Sequence, residues 1–164
     1  MIIGIGGCSR SGKTTLAEAL VWHYRNLNQT AIALHQDDFV RRVADISRVA
    51  DRTDWETPAS LDFDKLSQTV GFCAQHFDVV VVEGLFAFAN APLLEWYQHT
   101  FFVEISETTF KKRRAAEQRW GVEPDWFVQH VWDSFLKYGQ PPAFTARLSG
   151  ENPFEIATIA PILT

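Results

Sequence analysis

Eight residues near the start of the chain limit its fold more than any others: Gly7-Cys8-Ser9-Arg10-Ser11-Gly12-Lys13-Thr14. They match the pattern G-x-x-x-x-G-K-[ST], and the flanks are those the pattern requires. Met1-Ile2-Ile3-Gly4-Ile5 is short and apolar, a predicted buried strand. Thr15-Leu16-Ala17-Glu18-Ala19-Leu20 reads as a helix. Strand, glycine-rich turn and helix together make a phosphate cradle. Backbone N–H groups of Gly7, Ser9, Ser11, Gly12, Lys13, Thr14 and Thr15 are expected to converge on an anion at the helix N-terminus. The Lys13 ammonium can reach β- and γ-phosphates, and the Thr14 hydroxyl can coordinate Mg²⁺. Gly4-Ile5-Gly6 does not complete a dinucleotide fingerprint, because its third glycine would fall on Ser9. The expected ligand is therefore a nucleoside triphosphate.

The rest of the chain is sized and composed to surround such a cradle. Its 164 residues, 46% hydrophobic and 21% charged, fit one globular domain over residues 1–164. A net charge of −5 argues against nonspecific nucleic-acid binding, which needs a basic surface. The two cysteines, Cys8 and Cys73, have no metal-type spacing and read as reduced thiols of a cytoplasmic protein. No charged leader precedes the first apolar run, and no window approaches the ~20 apolar residues of a membrane helix.

Periodicity orders the elements. A first helix is predicted over Gly12 to Asn26, with Leu16, Leu20, Tyr24 and Leu27 on one face. Ala31-Ile32-Ala33-Leu34 reads as a second strand, with His35-Gln36-Asp37-Asp38-Phe39 at its carboxyl end. Residues 40–60 read as a polar loop holding at most one short helix. Thr57-Pro58 is a predicted helix start, leading to a face of Phe63, Leu66, Val70, Cys73 and Phe77. Four consecutive valines, 79–82, before Glu83-Gly84 predict a strand buried on both faces. Further expectations are a short helix over 92–97, a strand over 101–105 and a helix from Ser106 to about Arg119, stopped by Gly121. A helix follows from Pro124 to about Tyr138, then a last strand near 143–148 and a helical segment after Pro153. Such alternation predicts an α/β fold with a parallel sheet between two helical layers.

Phosphoryl transfer needs positioning and charge neutralisation. Asp37 and Asp38, beyond the second strand, can reach an acceptor hydroxyl and a metal shell, or can simply cap a turn. Glu83 ends the valine strand, where a charge needs either a site role or a salt bridge. Lys111-Lys112-Arg113-Arg114 is the strongest basic run; part of it can face phosphate, and part can be a solvated helix face. Trp55 can stack on a flat ring while Glu56 accepts from sugar hydroxyls, or Trp55 can be a satellite of the core. Trp120 carries the same two readings. His130 and Trp132 are expected to pack against the sheet. No Asn-Lys-x-Asp segment and no Asp-x-x-Gly after a strand points to a guanine-nucleotide switch.

Taken together, Gly7–Thr14, Gln36-Asp37-Asp38-Phe39, Asp54-Trp55-Glu56, Val82-Glu83-Gly84, Lys111–Arg114 and His130-Val131-Trp132 with Leu136-Lys137-Tyr138 resemble the nicotinamide riboside kinases. These belong to the uridine kinase-like phosphate-loop kinases. The resemblance spans roughly residues 1 to 140. It implies a five-stranded parallel sheet with a small helical lid over about 107–125. It also implies transfer of the ATP γ-phosphate to a ribose 5′-hydroxyl, forming a mononucleotide on the way to NAD. On that pattern Asp37 is catalytic base and Mg²⁺ neighbour, Thr14 a metal ligand, and Lys13 and Glu83 catalytic. Phe39, Trp55, Glu56 and Arg114 lie on the substrate side, and Arg113 faces ATP. Trp120 is the nearest candidate for a second aromatic against the base. Adenine contacts are expected near Ser149-Gly150-Glu151. Where the family carries a further lid arginine, this chain has Glu117, with Arg119 two residues on.

Overall fold

The computed structural model describes residues 1–117 and 121–163. Its centre is a five-stranded sheet in the order β2-β5-β1-β6-β7, formed by Ala31–His35 (β2), Val79–Gly84 (β5), Ile2–Gly7 (β1), His99–Glu104 (β6) and Ala146–Ser149 (β7). Every neighbouring pair in it is parallel. The valine strand does have two dry faces. Val79 and Val81 join Ile3, Ile5, Phe101 and Val103 on one side, whereas Val80 and Val82 turn to the other. This is the period-two alternation of a pleat, with apolar partners on both faces.

Helices cover both faces. Helix α1 (Lys13–Asn26) lays Leu16, Leu20, Val21 and Tyr24 on the first face, beside Ile159 of α6 (Ile156–Ile159). On the second face, α2 (Phe63–His76) packs Leu66, Val70 and Cys73 under β2 and β5, and α3 (Ala91–Trp96) adds Leu93. Helix α4 (Glu107–Ala115) supplies Phe110, and α5 (Asp125–Tyr138) supplies Phe127, Val131, Trp132 and Phe135, around Phe102. Trp132 thus packs as expected, its ring 5.3 Å from that of Phe110.

Four local expectations need correction. Leu27 is 58% exposed, because α1 ends at Asn26 and Asn28 takes a left-handed φ of 61°. Thr57-Pro58 opens only a 3-10 turn over Pro58–Ser60; α2 starts later, where the Asp62 side chain accepts from the Lys65 N–H at 3.0 Å. The 40–60 stretch holds an antiparallel hairpin, β3 (Arg48–Val49) and β4 (Arg52–Thr53). Helix α4 ends at Ala115 rather than near Arg119. Arg119 and Trp120 lie outside the described residues.

Candidate active site

The carboxyl ends of β1, β2 and β5 lie side by side, with His35 paired to Glu83 and Gly6 to Gly84 in the sheet register. In open parallel sheets this edge is where ligands bind. The cradle leaves β1 here. Gly12 has φ of +100°, which strains any other residue, and an added Cβ would lie a tight 3.1 Å from the Phe154 ring. The Ser11 N–H donates to the Cys8 carbonyl at 3.2 Å, closing the turn. The buried Lys13 ammonium donates to the same carbonyl at 2.8 Å. Cys8 is a buried free thiol, pushed up to about 11 by burial, which fits a small, inert turn residue.

Two acids face this cradle. The buried Glu83 carboxylate accepts from the Thr14 hydroxyl at 2.9 Å and from His35 Nδ1 at 2.9 Å. Burial alone would raise its pKa; the bond from His35, the charge of Lys13 and the bond from Thr14 hold it below the ordinary range. The bond to Glu83 in turn raises His35. Asp37 stands on the 3-10 turn Gln36–Phe39. Its pKa is raised, first by the protein packed around the carboxyl and then by the charge of Glu83, against the pull of Lys13. Asp37 and Asp38 are both exposed on this turn. The Phe39 ring packs into the core with Leu34, Leu66 and Val70.

Arginines close the other side. Arg114 makes a two-pronged pair with Glu123, at 2.6 and 2.9 Å, and its third nitrogen donates to Ser9 Oγ at 2.9 Å. Glu56 stands 4.0 Å from the same guanidinium. One planar fork therefore joins the phosphate loop, the segment before α5 and the 54–56 loop. The Glu56 carboxyl is pushed up to about 7, mainly by burial and partly by Asp37, with Arg114 opposing. Arg113 donates to the carbonyls of Arg10 at 3.0 Å and Gly150 at 2.8 Å, tying the cradle to the end of β7. Arg10, at φ 65°, reaches Glu117 at 2.7 Å. Glu117, expected as a gap in the cationic set, is thus one half of an ion pair on the phosphate loop. Lys111 pairs with Glu107 at 2.6 Å on an exposed face and takes no part in the site. Trp55 is 39% exposed, so its ring is open to a ligand.

The structure therefore gathers Lys13, Thr14, Asp37, Glu83, Glu56, Arg113 and Arg114 around one edge. Sequence reasoning assigns no role to Glu123, His35 or Asp54. His130 is also not packed against the sheet as expected: its Nε2 lies 2.8 Å from Asp54. Glu123 sits in the polar segment before Pro124 and carries no local signal of its pairing.

Cradle, opposed acids and arginine fork on this sheet order define the fold of a phosphate-loop kinase. A solved structure of a possible uridine kinase from Bacillus stearothermophilus superposes with a TM-score of 0.61 at 16% identity, covering 90% of this chain and 88% of that one. In sequence, the chain resembles the nicotinamide riboside kinases over most of its length. It is 28% identical over 158 residues to nicotinamide riboside kinase 2 of Mus musculus, covering 84% of this chain and 79% of the relative. With nicotinamide riboside kinase 1 of Homo sapiens it shares 27% over 158 residues, covering 85% and 76%. No family model matches the chain.

Proposed function

We propose that this protein is an ATP-dependent nucleoside kinase that phosphorylates the 5′-hydroxyl of nicotinamide riboside to give nicotinamide mononucleotide, a step toward NAD. The observation that carries this reading is the Arg114 fork. It links Ser9 of the donor cradle to Glu56 of the acceptor loop, so that donor and acceptor meet beside Asp37. A triphosphate would lie against the cradle N–H groups with Lys13 on its terminal phosphates. Asp37, with its raised pKa, is suited to take the proton of the attacking hydroxyl. Glu56 accepts from the ribose hydroxyls. Trp55 offers an open indole face, which favours a positively charged pyridinium ring over a neutral base. Arg113 holds the loop around Gly150 near the nucleotide.

The oxygen donors fit Mg²⁺. Thr14 Oγ1 already meets a carboxylate oxygen of Glu83 at 2.9 Å, and Asp37 is close enough to feel that charge. Mg²⁺ favours a few such oxygens plus phosphate and water, so Thr14 and Asp37 would hold it, with Glu83 orienting Thr14. The ion would neutralise charge on the phosphates during transfer. Among the described residues no helix is long and apolar enough to cross a membrane. Both cysteines are buried free thiols, which supports a reducing, cytoplasmic setting.

The test is ADP release by the purified protein over a panel of nicotinamide riboside, uridine, cytidine and non-nucleoside alcohols, with ATP or GTP as donor. Nicotinamide riboside is expected to give the highest kcat/KM. A preference for uridine or cytidine would reassign the acceptor, and no stimulation by any riboside would remove the kinase reading.

A further inference from the structure

Trp55 and Glu56 sit on an irregular loop between β4 and the 3-10 turn at Pro58, with no helix or strand of their own. What fixes this loop lies behind it. Asp54 is buried, 8% exposed, and its Oδ1 is 2.8 Å from Nε2 of His130 on α5. That same oxygen accepts the Glu56 backbone N–H at 3.2 Å. The Asp54 N–H donates to the Ser47 carbonyl at 2.8 Å, on the far side of the hairpin. A single carboxylate therefore joins the backbone of Glu56 to a side chain 76 positions from Asp54.

Two contacts seat the hairpin on the same helix. The Arg52 guanidinium lies 5.2 Å from the centre of the Phe127 ring, and Val49 packs against the cluster of Phe127, Val131 and Trp132. The His130 ring stands beside Phe127, with centroids 6.0 Å apart. The His130 side chain is 25% exposed, so it fills little of the core. Asp54 is as buried as the acids paired with Arg114, so loss of His130 would leave a buried carboxyl with one partner fewer and cost some stability. The direction of the pairing matters more, since the side-chain bonds of Asp54 run to the Glu56 N–H and to His130 on the helix beneath. Without the His130 partner, the Asp54 carboxylate is a buried acceptor free to turn away, and the Glu56 N–H loses its fixed acceptor.

We infer that His130 is a positioning residue for the acceptor: through Asp54 it sets where Glu56 stands. The inference rests on the nucleoside kinase reading for its kinetic consequence, but not for its structural one. In His130→Ala, hydrogen exchange at the Glu56 amide is expected to speed by about tenfold or more, beyond any change shared by the amides of the central sheet. The nucleoside KM is expected to rise about 5–20-fold while the ATP KM stays put. His130→Gln, which keeps an N–H donor near the place of Nε2, is expected to recover most of both losses. In His130→Ala/Asp54→Ala the effect should not exceed that of Asp54→Ala alone, because both act through one bond. Unchanged exchange at Glu56 in His130→Ala, or an equal rise in both KM values, would overturn the inference. So would failure of Gln to recover either loss. Exchange needs no turnover, so it decides the His130–Asp54 hold even if the wild type phosphorylates no nucleoside. That last outcome would remove the kinase reading instead.

Discussion

Asp37 and Glu56 both hold their protons more tightly than ordinary carboxyls, because neighbouring protein displaces water from each, largely at Glu56 and only in part at the exposed Asp37, and each feels another acid. They serve different ends. For Asp37, a raised pKa strengthens a base, so Asp37→Asn is expected to lower kcat by about 10²–10⁴-fold while ATP still binds. Steady-state kinetics with nucleotide titration check this; near-normal turnover would move the role to Asp38 or Glu83. For Glu56, the raised pKa is a stability cost. Its ordinary value is 4.5 and its folded value about 7. Between these the folded state keeps a proton that the unfolded state has lost. The stabilisation this gives is complete below about pH 4.5 and disappears as pH rises through about 7. At pH 8, then, Glu56→Gln should be more stable than wild type, by at most about 3 kcal/mol in a denaturant titration. The same variant should bind nucleoside poorly, since the amide is a weaker acceptor for ribose hydroxyls. In the wild type, the nucleoside KM should climb as pH falls below 7 while the ATP KM stays flat. A Glu56→Gln protein less stable than wild type at pH 8 would contradict the burial argument.

At the scale of elements, α4 is short and its last turn does the joining. Arg113 ties it to the phosphate loop and the end of β7, and Arg114 ties it to Ser9, Glu56 and Glu123. Arg114→Ala leaves two largely buried carboxylates without their cation, a change that costs about 3–5 kcal/mol for a buried pair. For a chain of this size that corresponds to a melting temperature lower by roughly 6–20 °C. Arg114→Lys should recover part of the stability but little activity, because a point charge cannot reach Glu123 and Ser9 together. Scanning calorimetry and kcat/KM on the two variants separate these effects. The elements most legible in sequence were those with a long period: α1, α2 and α5 from apolar spacing, β5 from its valines, and the cradle from its glycines. The hairpin was not, since strands of two residues carry no period, and Ala50-Asp51 between them is not a strong turn pair. The ties to Glu123 and from Asp54 to His130 were hidden for another reason. Such pairings are set by which loops the sheet order brings together, and that order leaves no trace in local spacing.

At the scale of the molecule, the chain carries a net charge of −5 and yet is proposed to take up a highly anionic nucleotide. Cations concentrated at one edge make that feasible: Lys13 and Arg114 are largely buried there, and Arg113 clamps the loop beside them. The Lys13 ammonium donates to the Cys8 carbonyl, a neutral partner, and a phosphate oxygen would offer it a charged one. Nucleotide binding should therefore stabilise the whole fold by linkage, since the unfolded chain has no cradle. At a Mg²⁺–ATP concentration near 100 times Kd the gain is about 2.7 kcal/mol. For a chain of this size that is a rise in melting temperature of roughly 5–11 °C. Lys13→Ala should abolish the rise by removing the cation that meets the phosphates. Asp37→Asn should keep part of it, because Lys13 and the cradle N–H groups still meet the phosphates and only one of the two proposed Mg²⁺ ligands is lost. Thermal shift with Mg²⁺–ATP on wild type and both variants measures this directly. A rise kept by Lys13→Ala and lost in Asp37→Asn would reverse the division of labour between the cradle and the acids that face it.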